Sequence, residues 1–327
     1  MNILYTINDN FVPQVGAAIT SVCENNKEAD EIKFYIFSLQ VSDNNKKKLK
    51  EYVGGFSSLN KTRDVEFIEL DDIHKYFDFS VDTTAWNPIV LSRLLLDKLL
   101  PLDIHRIIYF DGDTIVRKDL RELWESDMGE SAIGACMEPT CSLKRKNEMG
   151  LAGIPYHNAG VLLIDMDNWR KHNTGKEIMD YYRAKEGKLF ANDQDAINGS
   201  QKGRVKTLSM TYNYHNTYDI YRYKLLEKNC DYPVPSKEEV NAIKADPCII
   251  HFLGEERPWR LGNKHRFTKE YIKYLDMTPW KGENYEKGWK LYFFCWNVFN
   301  FVMKPFPMLR CNIINSLVPT LINLKSK

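Results

Sequence analysis

The chain has 327 residues, which is enough for one large domain or for one domain with an appendage. Hydrophobic residues make up 43% of the chain and charged residues 27%, as is ordinary for a globular protein. The formal net charge of +1 gives no reason to expect nucleic acid as the main partner.

The first seventy residues alternate between strand and helix patterns. Short apolar runs rich in β-branched and aromatic residues predict strands at residues 2–7, 33–39 and 65–70. Apolar positions at helical spacing predict a helix over residues 11–26, and Ser42 can cap the helix that follows the second strand. This alternation predicts an α/β fold with a mostly parallel central sheet and helices on both of its faces.

Polar residues follow the first predicted strand. Asn8, Asp9 and Asn10 come directly after its apolar run. Ligands of open parallel sheets bind beyond the carboxyl ends of the strands, so we expect Asn8 and Asn10 to face a binding crevice. No Gly-x-Gly-x-x-Gly motif follows this strand, which argues against a dinucleotide site of the usual kind.

Arg93 is the one cation of an apolar segment that predicts a helix over residues 92–97. It can form a structural salt bridge, for example with Asp97 one turn further on. It can also hold a phosphate or a sugar hydroxyl near a metal ion. The spacing alone favours neither role.

A buried strand predicted at residues 107–110 ends in Asp111-Gly112-Asp113. Side chains alternate between the faces of a strand, so the two aspartates would point the same way on either side of Gly112. Their charges repel each other unless a cation lies between them, and hard oxygen ligands suit Mg²⁺ or Mn²⁺, which can bind a diphosphate. The alternative is a hairpin turn, for which Asp-Gly is a strong signal.

Two later segments combine polar residues with predicted element ends. Asn158 and Gly160 precede a strongly apolar strand, and Gly160 would let backbone or ligand approach closely. Asp193, Gln194 and Asp195 precede a helix, and either acid can simply be its N-cap.

An imidazole ends the late strand predicted at residues 248–252. A single histidine at a strand end is more often structural than a ligand. Here Gly254 and Arg257 follow His251, and this combination favours a loop that wraps a phosphate.

The last 47 residues, 281–327, differ from the rest of the chain. They carry seven Lys or Arg and two Glu, a net charge of +5, which leaves −4 for the first 280 residues. Aromatic residues are interspersed with these cations, while Pro305, Pro307 and Lys304 interrupt the apolar run too often for a membrane span. The pattern favours a segment lying in the interface of an anionic membrane. The alternative is a pair of helices packed on the domain.

Cysteine usage and the amino terminus predict a cytoplasmic protein. The seven cysteines are an odd number and none lies in a Cys-x-x-Cys pair, which favours reduced thiols over a disulfide framework or a zinc site. Met1 leads straight into an apolar strand pattern, so we expect no secretory signal. With the basic aromatic tail, this predicts a peripheral protein on the inner face of the cytoplasmic membrane.

Together these motifs resemble glycosyltransferase family 8, especially its bacterial lipopolysaccharide galactosyl- and glucosyltransferases, and more distantly glycogenin. The likeness covers about residues 1–262. It implies a single nucleotide-sugar-binding domain of the GT-A fold over that range, a connecting segment at residues 263–280, and the tail at residues 281–327.

The resemblance implies that the protein moves a hexose, galactose or glucose, from a UDP-sugar to a glycan or lipid-linked glycan acceptor. The anomeric configuration would be retained, and the cofactor would be Mn²⁺, with Mg²⁺ as the alternative. A phosphohydrolase that passes the sugar only to water, and a non-catalytic UDP-sugar-binding protein, are the competing interpretations.

The resemblance also assigns roles to the residues of these motifs. The residues that resemble metal ligands are Asp111, Asp113 and His251. Those that resemble contacts to the nucleotide, the diphosphate or the donor sugar are Asn8, Asn10, Arg93, Gly112, Asn158, Gly254 and Arg257. The residues that resemble those nearest the reacting anomeric carbon are Asp193 and Gln194. All of them precede Trp259, so we expect the site to be independent of the tail.

Overall fold

The computed structural model describes residues 1–83, 87–220, 223–283 and 285–325. Seven strands form one sheet in the order β3-β2-β1-β4-β7-β6-β8, and β5 pairs with β9 in a separate two-stranded sheet. The strands are β1 (Asn2–Asn8), β2 (Glu31–Leu39), β3 (Thr62–Glu69), β4 (Arg106–Phe110), β5 (Thr114–Val116), β6 (Ile133–Met137), β7 (His157–Asp165), β8 (Lys206–Leu208) and β9 (Ile249–His251).

The large sheet is mostly parallel, as the alternation of elements predicts. Strands β3, β2, β1 and β4 are mutually parallel, and β6 is parallel to β8. Strand β7 runs antiparallel to both of its neighbours, β4 and β6. Its amino end therefore lies at the same edge of the sheet as the carboxyl ends of β1 and β4.

The helices cover both faces of this sheet. They are α1 (Val12–Asn25), α2 (Asp43–Gly54), α3 (Leu96–Leu99), α4 (Arg121–Trp124), α5 (Leu143–Glu148), α6 (Met166–Lys171), α7 (Thr174–Ala184), α8 (Asn192–Ser200), α9 (Thr217–Ile220), α10 (Tyr223–Asn229), α11 (Lys237–Ala245), α12 (Thr268–Leu275), α13 (Lys290–Met303) and α14 (Pro307–Lys325). Ser42 caps α2 by accepting a hydrogen bond from the amide of Asn45, which confirms that predicted helix start.

Alternation along the central strands divides the apolar core into two halves. In β1, Ile3, Tyr5 and Ile7 belong to the half formed with α1, α2 and α12, whereas Leu4 belongs to the other half. That second half includes buried residues of α3, α6, α7 and α8. A sheet buried on both faces explains why its strands read as near-continuous apolar runs.

The helix predicted over residues 92–97 is interrupted in the structure. A 3₁₀ helix spans Pro88–Leu94, and α3 begins only after Leu95, whose φ of −111° and ψ of 23° leave helical geometry. Asn87 caps the 3₁₀ helix by accepting a hydrogen bond from the amide of Ile89. The early start set by this cap places Arg93 in the last turn of the 3₁₀ helix.

The carboxyl-terminal part of the chain packs on the domain. Trp280 is buried, and its ring lies against Gly16 of α1. Helices α13 and α14 follow, with Phe293, Met303 and Cys311 buried. Among the helices that the structure describes, none is long and apolar enough to cross a bilayer.

Candidate active site

The polar residues predicted from separate motifs meet at one edge of the sheet. Asn8 ends β1 and Asp111 follows β4. The amide of Asp111 donates a hydrogen bond to the carbonyl of Gly160 at 2.8 Å, which continues the β4–β7 ladder beyond Phe110. Asn158 and Gly160 therefore lie within β7, and the prediction that they precede the strand is wrong. They reach the site because β7 is antiparallel to its neighbours.

Asp111, Asp113 and His251 form a compact cluster with one ligand atom from each residue, all within 4.8 Å of one another. The Nε2 atom of His251 lies 3.3 Å from Oδ1 of Asp113 and 3.7 Å from Oδ2 of Asp111. Strand pairing creates this proximity, since Thr114 of β5 stands opposite His251 of β9. The hairpin interpretation of Asp-Gly is wrong, because β4 pairs with β7 and β5 pairs with β9.

A buried asparagine fixes the orientation of the imidazole. Nδ1 of His251 lies 2.9 Å from Oδ1 of Asn213, and the amide nitrogen of Asn213 donates to Oδ1 of Asn158 at 2.8 Å. Because the oxygen of Asn213 can only accept, Nδ1 of His251 carries the proton. Nε2 then faces the two carboxylates, and its lone pair is available to a metal ion when Nε2 is deprotonated.

The carboxylates are held in place by neighbouring donors. Oδ1 of Asp111 accepts from the Tyr109 hydroxyl at 2.6 Å and pairs with Arg93 at 2.9 Å, while Oδ2 faces His251. Burial alone would raise the pKa of Asp113, but the positive charges of protonated His251 and of Arg257 lower it to about 2. Two carboxylates and one imidazole nitrogen fit Mn²⁺ or Mg²⁺, with the added nitrogen favouring Mn²⁺.

Arg93 is buried between two carboxylates, and neither of them is Asp97. Its guanidinium lies 2.9 Å from Asp111 and 3.2 Å from Asp193 and stacks over the ring of Tyr109. It also donates to the carbonyl of Ala159 at 2.8 Å. The suggested pair with Asp97 is replaced by these long-range pairs, through which Arg93 links β4, β7 and α8.

The amide of Gln194 is fixed at both ends. Its Oε1 accepts from the backbone amide of Ala159 at 3.0 Å, and its Nε2 donates to the hydroxyl of Tyr156 at 3.0 Å. That hydroxyl donates to Oδ1 of Asp195 at 2.6 Å, and its oxygen accepts from Arg145 at 2.8 Å as well as from Gln194. The Gln194 side chain is therefore held in one orientation while remaining partly exposed.

The two acids beside Gln194 have different roles. Burial raises the pKa of Asp193 to about 6, although Arg93 opposes the shift. Oδ2 of Asp195 accepts from the backbone amide of Ala191, the N-cap residue of α8. The N-cap alternative is wrong for both acids, because Ala191 is the N-cap residue and both acids lie within α8. Asp193 instead pairs with Arg93.

A polar network extends from Asn158 away from the cluster. Oδ1 of Asn158 accepts from the amide of Gly160 at 2.8 Å, and Nδ2 donates to Oε2 of Glu138 at 3.1 Å. Asn158 is thus fixed from two sides by protein groups.

The segment after β9 brings a cation to the cluster. Nη2 of Arg257 lies 3.2 Å from Oδ2 of Asp113, and its guanidinium lies over the rings of Phe11 and Trp259, at 5.9 and 5.6 Å from their centres. The buried Nε of Arg257 has no hydrogen-bond partner among the described residues. Gly254 has a φ of +79°, which favours glycine, so its position in this loop has a conformational reason.

The residues predicted after β1 divide between ligand-facing and structural positions. The buried Oδ1 of Asn8 has no partner among the described residues, and Asn10 is exposed. Between them, Asp9 accepts from the amide of Ser42 at 2.9 Å. Gly112 packs closely on α1, where an added Cβ would lie 2.9 Å from Phe11. An acceptor atom that is buried and unpaired, as in Asn8, fits a ligand that supplies a donor.

Comparison with known sequences decides the family. The family model described as glycosyl transferase family 8 matches residues 2–261. The chain belongs to glycosyltransferase family 8. The family 8 match covers all the site residues described above, from Asn8 to Arg257, and membership makes this chain a glycosyltransferase.

Curated relatives and solved structures agree with this family 8 assignment. The chain is 26% identical over 284 residues to General stress protein A of Bacillus subtilis, covering 86% of this chain and 94% of that protein. It is 24% identical over 295 residues to lipopolysaccharide 1,2-glucosyltransferase of Escherichia coli, covering 87% and 80%. The structure of the galactosyltransferase LgtC, solved with donor and acceptor sugar analogues, matches with a TM-score of 0.69 at 22% identity over 89% of this chain and 99% of that one. The predicted GT-A fold is confirmed.

Four residues of this family 8 site were not predicted from the sequence. They are Tyr109, Tyr156, Asn213 and Glu138. The position of Tyr109 two residues before Asp111, at the end of β4, could have indicated their contact, because residues two apart in extended backbone share a face. The other three act through partners distant in sequence, and no local pattern marks them.

A single methyl group added at Gly160 is expected to have a large effect on metal binding. A Cβ added at Gly160 would lie 2.3 Å from Cε1 of His251 and 2.9 Å from Oδ2 of Asp111. We expect Gly160→Ala to displace both ligands and to weaken Mn²⁺ binding by about 10- to 100-fold or more. Titration calorimetry with Mn²⁺ measures this loss.

The matched control is Gly134→Ala in the neighbouring strand β6. There the atoms nearest to the added Cβ would be those of the Leu208 side chain, the first at 3.2 Å, and that side chain can adjust. Equal Mn²⁺ affinity in the Gly160 variant and the wild type would contradict the assignment of the cluster as the metal site.

Proposed function

We propose that the protein is a retaining hexosyltransferase that moves galactose or glucose from a UDP-sugar to a glycan or lipid-linked glycan acceptor, with Mn²⁺ as cofactor and Mg²⁺ as the alternative. The observation that carries this proposal is the Asp111–Asp113–His251 cluster at the carboxyl edge of the sheet, with Arg257 beside it. The curated relatives named lipopolysaccharide 1,2-glucosyltransferase and lipopolysaccharide 1,3-galactosyltransferase, the latter of Salmonella typhimurium, support the sugar and acceptor classes.

In this proposal the residues at the edge of the sheet bind different parts of the UDP-sugar. Asn8, with its unpaired buried oxygen, suits a donor group of the uracil ring, and Asn10 stands beside it. A divalent ion held by Asp111, Asp113 and His251 would offset the charge that develops on the departing diphosphate. Arg257 adds a permanent positive charge on the same side, in a loop that Gly254 allows to turn.

The residues around Gln194 face the reacting sugar in this proposal. The hydrogen bonds to Ala159 and Tyr156 fix the carboxamide before the substrate arrives, so no reorganisation is needed as charge develops. An amide is a poor nucleophile, which favours attack by the acceptor on the same face from which UDP leaves. Asp193 stays beside Arg93 and helps to position the sugar together with Asn158.

We place the enzyme in the cytoplasm, on the inner face of the cytoplasmic membrane, where a lipid-linked acceptor is available. The net charge of +5 on residues 281–327 supports this location.

The test uses the purified full chain with labelled UDP-galactose or UDP-glucose, Mn²⁺ and a panel of glycan and glycolipid acceptors. We expect transfer from one donor, loss of transfer in excess chelator, and an α-linked product by nuclear magnetic resonance, since UDP-hexoses are α-linked. Release of free sugar with every acceptor would favour the phosphohydrolase, and binding of UDP without turnover would favour a binding protein.

A further inference from the structure

Helix α13 has two different faces. Phe293 and Met303 are buried against the rest of the protein. The large apolar side chains of the opposite face are exposed, and they recur at helical spacing. We call this set the outer face; it consists of Leu291, Phe294, Val298, Phe301 and Val302. Phe301 is 80% exposed and Phe294 is 67% exposed, so two phenylalanine rings stand in water.

The start of the same helix is joined to the loop that carries Arg257. The guanidinium of Arg260 lies 3.8 Å from the ring centre of Trp289, and its Nε lies 2.8 Å from Oε2 of Glu286. The indole of Trp259 donates to Oε1 of Glu286 at 3.1 Å. One carboxylate and one aromatic ring of the tail therefore hold two consecutive residues of the loop.

Backbone contacts add to these side-chain contacts. The amide of Glu286 donates to the carbonyl of Trp259 at 2.8 Å, and the amide of Leu261 donates to the carbonyl of Glu286 at 3.1 Å. A Cβ added at Gly262 would lie 3.3 Å from Cα of Lys290, so the loop lies directly against the first turn of α13. The loop that carries Arg257 is therefore in contact with the tail, although the site residues themselves precede Trp259.

Charge indicates what covers the outer face. No carboxylate side chain occurs from residue 287 to residue 327, and the exposed cations Lys287, Lys290 and Lys304 lie at the two ends of α13. A second copy of this chain would bring these like charges together at its interface. An anionic bilayer surface accepts the aromatic rings and pairs with the lysines at the same time.

We propose that the outer face of α13 docks on an anionic bilayer and that docking tightens UDP binding through the Trp259–Arg260 contacts with Glu286 and Trp289. This inference rests on the proposed function, because it assumes that Arg257 binds the diphosphate. Docking restricts α13 and the loop joined to it, so the diphosphate meets a loop that is already ordered. The coupling is reciprocal: UDP tightens vesicle binding by the same factor.

The test measures vesicle binding and UDP affinity on the full chain with Mn²⁺. The vesicles are phosphatidylglycerol mixed with phosphatidylcholine, or phosphatidylcholine alone. We expect sedimentation only with the anionic vesicles and a rise in UDP affinity of about fivefold or more upon docking. High salt is expected to weaken sedimentation.

Three variants separate the parts of the proposal. Phe294→Ser combined with Phe301→Ser is expected to lose both vesicle binding and the rise in UDP affinity. Leu59→Ser removes an apolar side chain that is 99% exposed elsewhere on the surface, and it is expected to keep both. Trp289→Leu, checked for an unchanged fold by circular dichroism, is expected to keep vesicle binding and to lose the rise.

The contrary outcomes are distinct. Vesicle binding with unchanged UDP affinity would overturn the coupling. Failure of the wild type to bind anionic vesicles, or an apparent mass that doubles with protein concentration and falls with Phe301→Ser, would overturn the docking. Neither result would contradict the proposed function as long as hexose transfer proceeds in solution. Absence of transfer to every acceptor would contradict that function even if vesicle binding were intact.

Discussion

Asp113→Asn is expected to abolish glycosyl transfer, with a loss of more than about a thousandfold, beyond the ~10²–10³ that removal of one stabilising donor costs. The two oxygens of Asp113 have separate partners: Oδ1 lies 3.3 Å from Nε2 of His251, and Oδ2 lies 3.2 Å from Nη2 of Arg257. Asparagine has nearly the same shape but no charge, and its amide group turns one acceptor into a donor. Either the metal ion or Arg257 then faces an N–H group.

Calorimetric titration with Mn²⁺ and the rate of UDP-sugar turnover measure this effect, and Asp111→Asn is expected to behave similarly. The matched control is Asp103→Asn, the same change at an exposed position before β4. A variant that keeps its thermal unfolding temperature but loses Mn²⁺ affinity would support the metal site. Full turnover in either site variant, or in excess chelator, would contradict it.

Gln194→Ala is expected to lower kcat by about 10²- to 10³-fold and to leave UDP affinity within about twofold of the wild type, because its proposed partner is the reacting sugar. Interactions that strengthen only in the transition state change kcat, whereas uniform binding changes KM. The hydrogen bonds of Gln194 to Ala159 and Tyr156 fix its carboxamide, so alanine removes a group that is already held in one orientation.

The matched control is Gln201→Ala, which removes the same side chain at the carboxyl end of α8, where Gln201 contacts Glu177. Steady-state turnover and UDP titration separate the two effects. A parallel fall of UDP affinity and kcat in the Gln194 variant would assign this residue to the nucleotide site instead.

Local patterns predicted most of the elements on which the site is built. The apolar runs that form β1, β2, β3 and β4 are short and bounded by polar residues, so strand ends and the residues after them could be placed. The carboxyl ends of parallel strands all lie at one edge of the sheet, whatever the strand order. For this reason Asn8 and Asp111 could be assigned to one edge before the structure was known.

Contacts between distant residues could not be predicted in this way. The apolar sequence pattern of β7 fits a parallel and an antiparallel strand equally well. Its antiparallel direction, and with it the position of Gly160 beside Asp111, could therefore not be predicted. Arg93 has an acid one turn away, yet it pairs with Asp111 and Asp193 because burial selects the partners that packing supplies. Asn213, which orients His251, lies in a segment without periodicity.

The pairing of β5 with β9 fixes the order in which this site can assemble on a ribosome. His251 is about 140 residues beyond Asp113, a stretch that takes roughly 7 to 28 seconds to translate at elongation rates of about 5–20 residues per second. During that interval the nascent chain holds the two aspartates without their imidazole partner. The joining of Trp259 to Glu286 delays completion further, since the loop gains its support only when the tail has emerged. The complete Asp111–Asp113–His251 cluster is therefore available only late in the synthesis of this protein.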